Sequence, residues 1–399
     1  MRRALTIAAA TTGLLVALSG PALAGTPAAL PTGPVLGAGT AGAIGESYIV
    51  VLRDGTSRTS HQLLRRYGGR VADDYQASVR GFHARMTATQ AARLAADPSV
   101  RYVEQDAVVE VAATTAATWG LDRIDQRALP LSTSYTAPSA AGVTAYVLDS
   151  GLRTTHQQFG GRASNGADFI DRTVTANNDC KGHGTHVAGT IGGRTYGVAK
   201  DVKLVGVRVL DCKGSGPYSA IIAGVDWVTA HAVKPAVANM SLGGTTSKAL
   251  DDAVNRSIAK GVTYVVAAGN DNRDACAQSP ARTPAAITVG ATDNTDTRAS
   301  FSNWGSCLDL FAPGARIVSA DSASNTGTKS MSGTSMASPH VAGAAALVLA
   351  AHPTWTPAQV RDELAGRAST GVRSGGKSSP DRLLYTGFLT AAAGVTSAR

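Results

Sequence analysis

The chain has 399 residues, of which 44% are hydrophobic, 16% charged and 5% aromatic, an ordinary globular composition with length for a sizeable core and two or three domains. Its formal net charge is +9, yet no run of five or six basic residues occurs, and Arg65-Arg66 is the densest cluster of the soluble part. Charge dispersed in this way describes a solvated surface and argues against a nucleic-acid or membrane footprint, which needs a clustered patch.

Residues 1–24 begin with Arg2 and Arg3, continue as an apolar run from Ala4 to about Ser19, and end in the small-x-small pattern Ala22-Leu23-Ala24. The run is too short to span a bilayer, so it reads as a secretory signal peptide. No later segment reads as a membrane crossing, and the mature product is expected to be soluble and exported. Residues 25–45, built mostly of Gly, Pro, Ala and Thr with no charge and no periodicity, read as a flexible linker.

A small module follows over residues 46–111. Its periodicity predicts a strand at Tyr48–Leu52, a helix at Ser57–Tyr67, a strand at Val79–Met86, a helix at Thr87–Ala96 and a final strand over Ser99–Val111. Two strand–helix–strand units in so short a stretch suggest a ferredoxin-like α+β domain. It carries His61 and His83, no Cys and no Gly-rich loop, so nothing in it reads as catalytic.

From Ala112 to Phe388 short β-branched runs alternate with helical segments. Strands are expected at Val143–Leu148, Leu204–Leu210, Ala236–Ser241, Val262–Ala267 and Ala286–Val289. Helices are expected near Gly184–Gly192, Ser219–Ala232, Lys248–Lys260, Met336–His352 and Thr356–Gly366. Continuous apolar strands between helices predict an α/β fold whose parallel sheet is covered on both faces. Residues 389–399 read as a fraying tail.

Four cysteines, Cys180, Cys212, Cys276 and Cys307, fit an exported chain with two disulfides; three pairings are possible and sequence order does not choose among them. Asp149 closes the strand Val143–Leu148 and precedes Ser150-Gly151, at the carboxyl end of a buried strand where open α/β sheets hold their ligands. His183 lies in Gly182-His183-Gly184-Thr185-His186, where glycines permit a tight turn into a helix. The spacing His183-x-x-His186 lacks a third ligand at metalloprotease distance, and H-E-x-x-H is absent. Ser335 lies in Gly333-Thr334-Ser335-Met336-Ala337-Ser338-Pro339; Pro339 is expected in the first turn of the helix that follows, which places Ser335 at its positive end. An α/β-hydrolase esterase would need the order Ser, Asp, His, and only His340 and His352 follow Ser335.

Four blocks in order carry a resemblance. They are Val147-Leu148-Asp149-Ser150-Gly151, Gly182-His183-Gly184-Thr185-His186, Ala267-Ala268-Gly269-Asn270 and Gly333-Thr334-Ser335-Met336-Ala337-Ser338-Pro339. With them the chain resembles the subtilisin-like serine proteases (subtilases) of the proteinase K branch from Trp119 to Leu384, and residues 46–111 resemble that family's inhibitor propeptide. The chain order Asp, His, Ser is the known order of subtilisin.

The resemblance implies a three-layer subtilisin-like fold and a secreted serine endopeptidase made as a zymogen. Ser335 is then the nucleophile, His183 the base and Asp149 its orienting carboxylate, and Asn270 joins the Ser335 N–H as an oxyanion donor. It implies a cleft formed by Gly214-Ser215-Gly216 and Ser241-Leu242-Gly243-Gly244, and a roomy apolar S1 pocket lined by Ala267, Ala268 and Gly269, hence broad cleavage after apolar or aromatic residues. It implies the disulfides Cys180–Cys212 and Cys276–Cys307. It also implies structural calcium, one site using Asp309 with the backbone oxygens of Pro284 and Ala286, another using Asp122, Asp125, Gln126, Ser132 and Ser134; sets of oxygen ligands suit a hard cation. No organic cofactor is implied. The partners are protein and peptide substrates and the chain's own propeptide, cut by the enzyme itself between Val111 and Thr118, and the mature enzyme is expected to be a monomer without nucleic-acid or membrane partners.

Overall fold

The structure, a computed structural model, is described over residues 31–40, 43–110, 119–136, 138–175, 177–374 and 377–389, side chains of 108–110 excepted. The expected signal peptide, the cleavage stretch after Glu110 and the expected tail beyond Leu389 lie outside the described residues.

The N-terminal domain comprises β1 (Val35–Leu36), β2 (Ala43–Leu52), α1 (Ser60–Tyr67), β3 (Arg70–Tyr75), β4 (Gly81–Arg85), α2 (Ala88–Ala95) and β5 (Val100–Glu110). Its sheet runs β1-β5-β2-β4-β3, ferredoxin-like and antiparallel except where β1 lies parallel to β5. Thr59 and Thr87 open the two helices with capping boxes to Gln62 and Gln90. The linker reading of residues 25–45 needs correction in two places: Val35 and Leu36 pair with Val103 and Glu104, and β2 begins at Ala43. Two apolar residues suffice to add an edge strand and are too few to show a period.

The larger domain contains α3 (Gly120–Ile124), β6 (Thr144–Asp149), β7 (Ala163–Asp168), α4 (His183–Gly192), β8 (Lys203–Arg208), β9 (Ser215–Pro217), α5 (Tyr218–His231), β10 (Ala236–Met240), α6 (Lys248–Ala259), β11 (Thr263–Ala267), β12 (Ile287–Thr292), β13 (Leu310–Pro313), β14 (Ile317–Ala320), β15 (Thr328–Met331), α7 (Thr334–Ala351) and α8 (Pro357–Arg367). Seven strands form one parallel sheet in the order β13-β12-β11-β10-β6-β8-β7. The subtilisin-like expectation is met.

Alternation along β6 divides the interior. Ala145 and Val147 join a core with α4, α7 and α8, while Tyr146 and Leu148 join another with α5 and α6. The first core holds α7, which packs against β10, β11, β12 and β13. By length and composition α7 is apolar enough to cross a membrane, contrary to the sequence expectation, yet 89% of it is buried between sheet and helices. A helix apolar all round is what a fully enclosed position demands.

From Thr32 onward the described residues form one compact unit. The N-terminal sheet turns Tyr48, Val50 and Leu52 toward its own helices and Ile49, Val51, Tyr75 and Tyr102 into the core of α5 and α6. Its carboxylates meet helix starts: Glu104 accepts from the Ala249 N–H at 2.7 Å, and Asp106 from the Ser219 N–H at 3.0 Å. The helix dipoles favour negative charge at such positions, at Glu104 against a larger opposing effect of burial.

Candidate active site

Each candidate catalytic residue sits at the carboxyl edge of the parallel sheet or at a helix start beside it. Asp149 ends β6, Ser241 and Leu242 follow β10, and Ala267 ends β11 with Ala268, Gly269 and Asn270 after it. Parallel strands deliver their carboxyl ends to one edge, so residues distant along the chain converge.

His183 opens α4. Gly182 before it has φ of 84°, in the left-handed region that glycine reaches without strain. Gly184 after it packs so closely that a Cβ there would lie 2.1 Å from the Gly151 carbonyl. The imidazole thereby reaches Asp149: His183 Nδ1 lies 2.8 and 2.9 Å from the two carboxylate oxygens, and both residues are fully buried. His183 Nε2 is buried without a hydrogen-bond partner.

A second carboxylate frames this pair. Asp179 accepts from Gly182 N–H, Ser150 Oγ and Thr185 N–H at 2.8 Å each, and from Thr185 Oγ1 at 2.5 Å, so it caps α4 and ties it to the residue after Asp149. Sequence reasoning missed Asp179; an acid just before a helix start was the available signal. Its neighbour Cys180 is bonded to Cys212, and Cys276 to Cys307, with Cα separations of 5.0 and 5.4 Å. The first bridge links the histidine segment to the loop that leads into β9.

Ser335 stands in the first turn of α7. Pro339 lies in the second turn, one turn later than expected; it has no N–H, so the Ser335 carbonyl loses its helical donor. The Ser241 hydroxyl replaces that donor at 2.8 Å, and the Ser335 hydroxyl donates to the Ser241 carbonyl at 3.1 Å. Asp149 and His183 are thus joined directly, while the Ser335 hydroxyl is bonded to Ser241 and not to His183. Asn270 Oδ1 accepts from the Thr334 N–H at 2.8 Å and Thr334 Oγ1 at 3.0 Å. With its oxygen engaged, the Nδ2 end is left without a partner among the described residues, one position along the helix from the serine.

His186 has no metal role in this arrangement. Its Nε2 donates to the carbonyls of Ile317 and Lys329, and burial pushes its pKa down to about 3.

The cleft segment behaves as an edge strand. β9 pairs antiparallel with β5 of the N-terminal domain, Ser215 opposite Glu110, Gly216 opposite Val109 and Pro217 opposite Val108. Gly214 turns the chain into it with φ of 85°. With the N-terminal domain in place Ser335 is only 2% exposed. Fold, cleft and docked domain together define a serine protease carried behind its own inhibitor domain.

Comparison with known proteins gives the family. A profile of the subtilase family matches residues 140–384, and one of the peptidase inhibitor I9 domain matches residues 47–112. The chain belongs to the subtilase family. An extracellular serine proteinase of a Thermus species is 59% identical over 324 residues, 80% of this chain and 79% of that relative. Alkaline serine exoprotease A of Vibrio alginolyticus is 52% identical over 328 residues, 80% of this chain and 61% of the relative. Among solved structures, a cold-adapted subtilisin-like serine proteinase is 55% identical, with a TM-score of 0.66, covering 68% of this chain and 99% of its own.

The family implies calcium, and the two oxygen sets differ in fit. In the loop after α3, Asp122 accepts from the Ser132 N–H, Ser132 Oγ and the Thr133 N–H at 2.8 to 3.0 Å, Ser132 Oγ lies 3.0 Å from Ser134 Oγ, and Gln126 Oε1 accepts from the Ser132 N–H at 2.9 Å. Burial, then the charge of Asp122, raises the Asp125 carboxyl, a repulsion that a cation between them relieves. This set fits. At the other, Asp309 accepts from the Thr288 N–H at 2.8 Å, but Arg361 Nη1 already donates to the Pro284 carbonyl at 3.2 Å. A guanidinium there opposes a second cation, so that set fits only with Arg361 turned away.

Proposed function

We propose that this chain is a secreted serine endopeptidase made as a zymogen, with Ser335, His183, Asp149 and Asn270 as its catalytic groups. On this reading the Ser335 hydroxyl leaves the Ser241 carbonyl and gives its proton to His183 Nε2 as Oγ bonds to the scissile carbonyl carbon. Collapse of the tetrahedral adduct breaks the C–N bond, and the same proton passes to the leaving amine. Water then hydrolyses the acyl-enzyme by the reverse sequence. Asp149 holds the imidazole with Nδ1–H toward itself. Asn270 Nδ2 and the Ser335 N–H receive the oxyanion.

The observation that carries this reading is the antiparallel ladder of Val108, Val109 and Glu110 on Ser215–Pro217. It is strand addition to a substrate cleft, made by the segment that leads directly into the expected cleavage stretch between Val111 and Thr118. Gly214, Ser215 and Gly216 on one side, with Ser241, Leu242 and Gly243 on the other, then grip extended peptides. Ala267, Ala268 and Gly269 leave an S1 pocket for apolar or aromatic side chains. Calcium bound by the Asp122, Asp125, Gln126, Ser132 and Ser134 loop stabilises the fold and takes no part in the chemistry.

The test is casein digestion by the secreted product, with an active-site serine reagent and N-terminal sequencing of the mature chain. We expect the label on Ser335, loss of digestion on labelling, and a mature chain whose first residue lies between residues 112 and 118. Digestion that survives complete labelling would refute the mechanism.

A further inference from the structure

Asn303 is fully buried, and its side chain makes four hydrogen bonds. Nδ2 donates to the Ala268 carbonyl and to Gln278 Oε1, both at 2.8 Å; Oδ1 accepts from the N–H groups of Asp271 and Arg273, both at 3.0 Å. Its backbone N–H donates to the Gly269 carbonyl at 2.9 Å. Every one of these contacts save that to Gln278 is to main chain within three residues of Asn270, on both sides of it. Gln278 closes the ring by donating from Nε2 to Asp271 Oδ2 at 2.7 Å. The fit leaves no slack: Gly269 has φ of 100°, and a Cβ on it would meet Gln278 Oε1 at 2.1 Å and Asn303 Nδ2 at 2.4 Å.

A side chain with two donors and two acceptors, all used, holds a backbone segment in one conformation far better than packing alone, because any shift leaves a buried polar group unpaired. The segment so held carries Asn270, whose Oδ1 is anchored on Thr334 at the start of α7 and whose Nδ2 is left free, among the described residues, beside Ser335. Thr334 fixes that side chain from the helix side; Asn303 fixes the main chain that carries it.

We propose that Asn303 is a positioning residue for the oxyanion site, acting through Asn270. The inference rests on the serine-protease reading of the site. Displacing Asn270 Nδ2 by an ångström lengthens a bond made chiefly in the transition state, so the loss falls on kcat and leaves KM nearly unchanged.

The experiment is a double-mutant cycle on the mature enzyme with a soluble peptide amide bearing an apolar P1 residue. We expect Asn303→Ala to lower kcat roughly ten- to a hundredfold in the wild-type background and less than about threefold when Asn270 is already Ala. An equal loss in both backgrounds, or a lower Tm with kcat intact, overturns the proposal. If Asn303→Ala does not accumulate, Gln278→Met removes one of the four bonds and the same non-additivity with Asn270→Ala is read on a smaller scale; additive effects there overturn it equally. Failure of the protease reading is distinct, since wild-type enzyme would then neither turn over the amide nor label on Ser335.

Discussion

The hydroxyl of Ser241 donates to the backbone carbonyl of Ser335, and the hydroxyl of Ser335 donates back to the backbone carbonyl of Ser241, at 2.8 and 3.1 Å. The pair exists because Pro339 withholds a helical N–H from the Ser335 carbonyl, so a side chain from the end of β10 must supply the donor. Ser241→Ala leaves that buried carbonyl unpaired, along with the Asn239 amide that donates to Ser241 Oγ at 2.9 Å. The expected cost is about 1–3 kcal/mol of stability, visible as a lower Tm in thermal unfolding. A Tm equal to that of the wild type would mean the reciprocal pair holds nothing.

Ser335→Ala and Asn270→Ala should separate by orders of magnitude. Without the nucleophile, kcat is expected to fall ~10⁶-fold, and the precursor should accumulate uncut when no other protease is present. Without the amide donor, kcat should fall ~10²–10³-fold while processing continues slowly. Kinetics on a peptide amide and gel mobility of the secreted chain measure both. Full processing of the Ser335→Ala chain would remove self-cleavage.

Strongly periodic elements were legible in the residues. The core strands β6, β8, β10, β11 and β12 and the long helices announce themselves because both faces are buried and the apolar runs are continuous. Others were hidden for identifiable reasons. β3 (Arg70–Tyr75) contains Asp73 and Asp74 and buries little, so it reads as loop. β7 (Ala163–Asp168) contains Asn, Gly and Asp and is a strand only through its ladder with β8, where Gly166 gives way to Trp227, a Cβ there meeting the ring at 2.3 Å. Asp149 and His183, 34 residues apart, are bonded directly because each sits in a short motif at a strand or helix end, and such motifs can be read without long-range information. Of the residues that support the site, Asp179 was legible as a local cap, since Gly182 and Thr185 lie within six residues of it; Asn303 was not, because its main-chain partners lie 30 to 35 residues away.

Removing calcium should lower stability and leave the chemistry otherwise intact. At 100 times its dissociation constant a bound ion contributes about 2.7 kcal/mol. For a domain of this size that corresponds to a fall in Tm of several degrees on adding a chelator, at about 2–4 °C per kcal/mol. Asp122→Ala should remove most of this response, whereas Asp309→Ala should alter it less, because Arg361 already engages the Pro284 carbonyl. A Tm indifferent to chelator in the wild type would eliminate the ion.

The N-terminal domain should hold the protease more tightly in acid. Glu104 is buried against the start of α6, and burial raises its carboxyl to about 7 despite the hydrogen bond from the Ala249 N–H. In the separated domain Glu104 faces water and titrates near its model-peptide value of about 4.3. Between those two values docking takes up a proton, so the advantage of the docked state is fully present below the lower value and is lost as pH rises through about 7. Inhibition of the mature enzyme by its own cleaved N-terminal domain is therefore expected to weaken roughly ten- to a hundredfold from pH 5 to pH 8, at tenfold per unit of pKa difference. Glu104→Gln stays neutral at every pH and should flatten that part of the profile. The two proteins differ at this one side chain, so the difference between the two profiles isolates Glu104. Parallel profiles for wild type and Glu104→Gln would show that the carboxylate docks already ionised, held so by the dipole of α6.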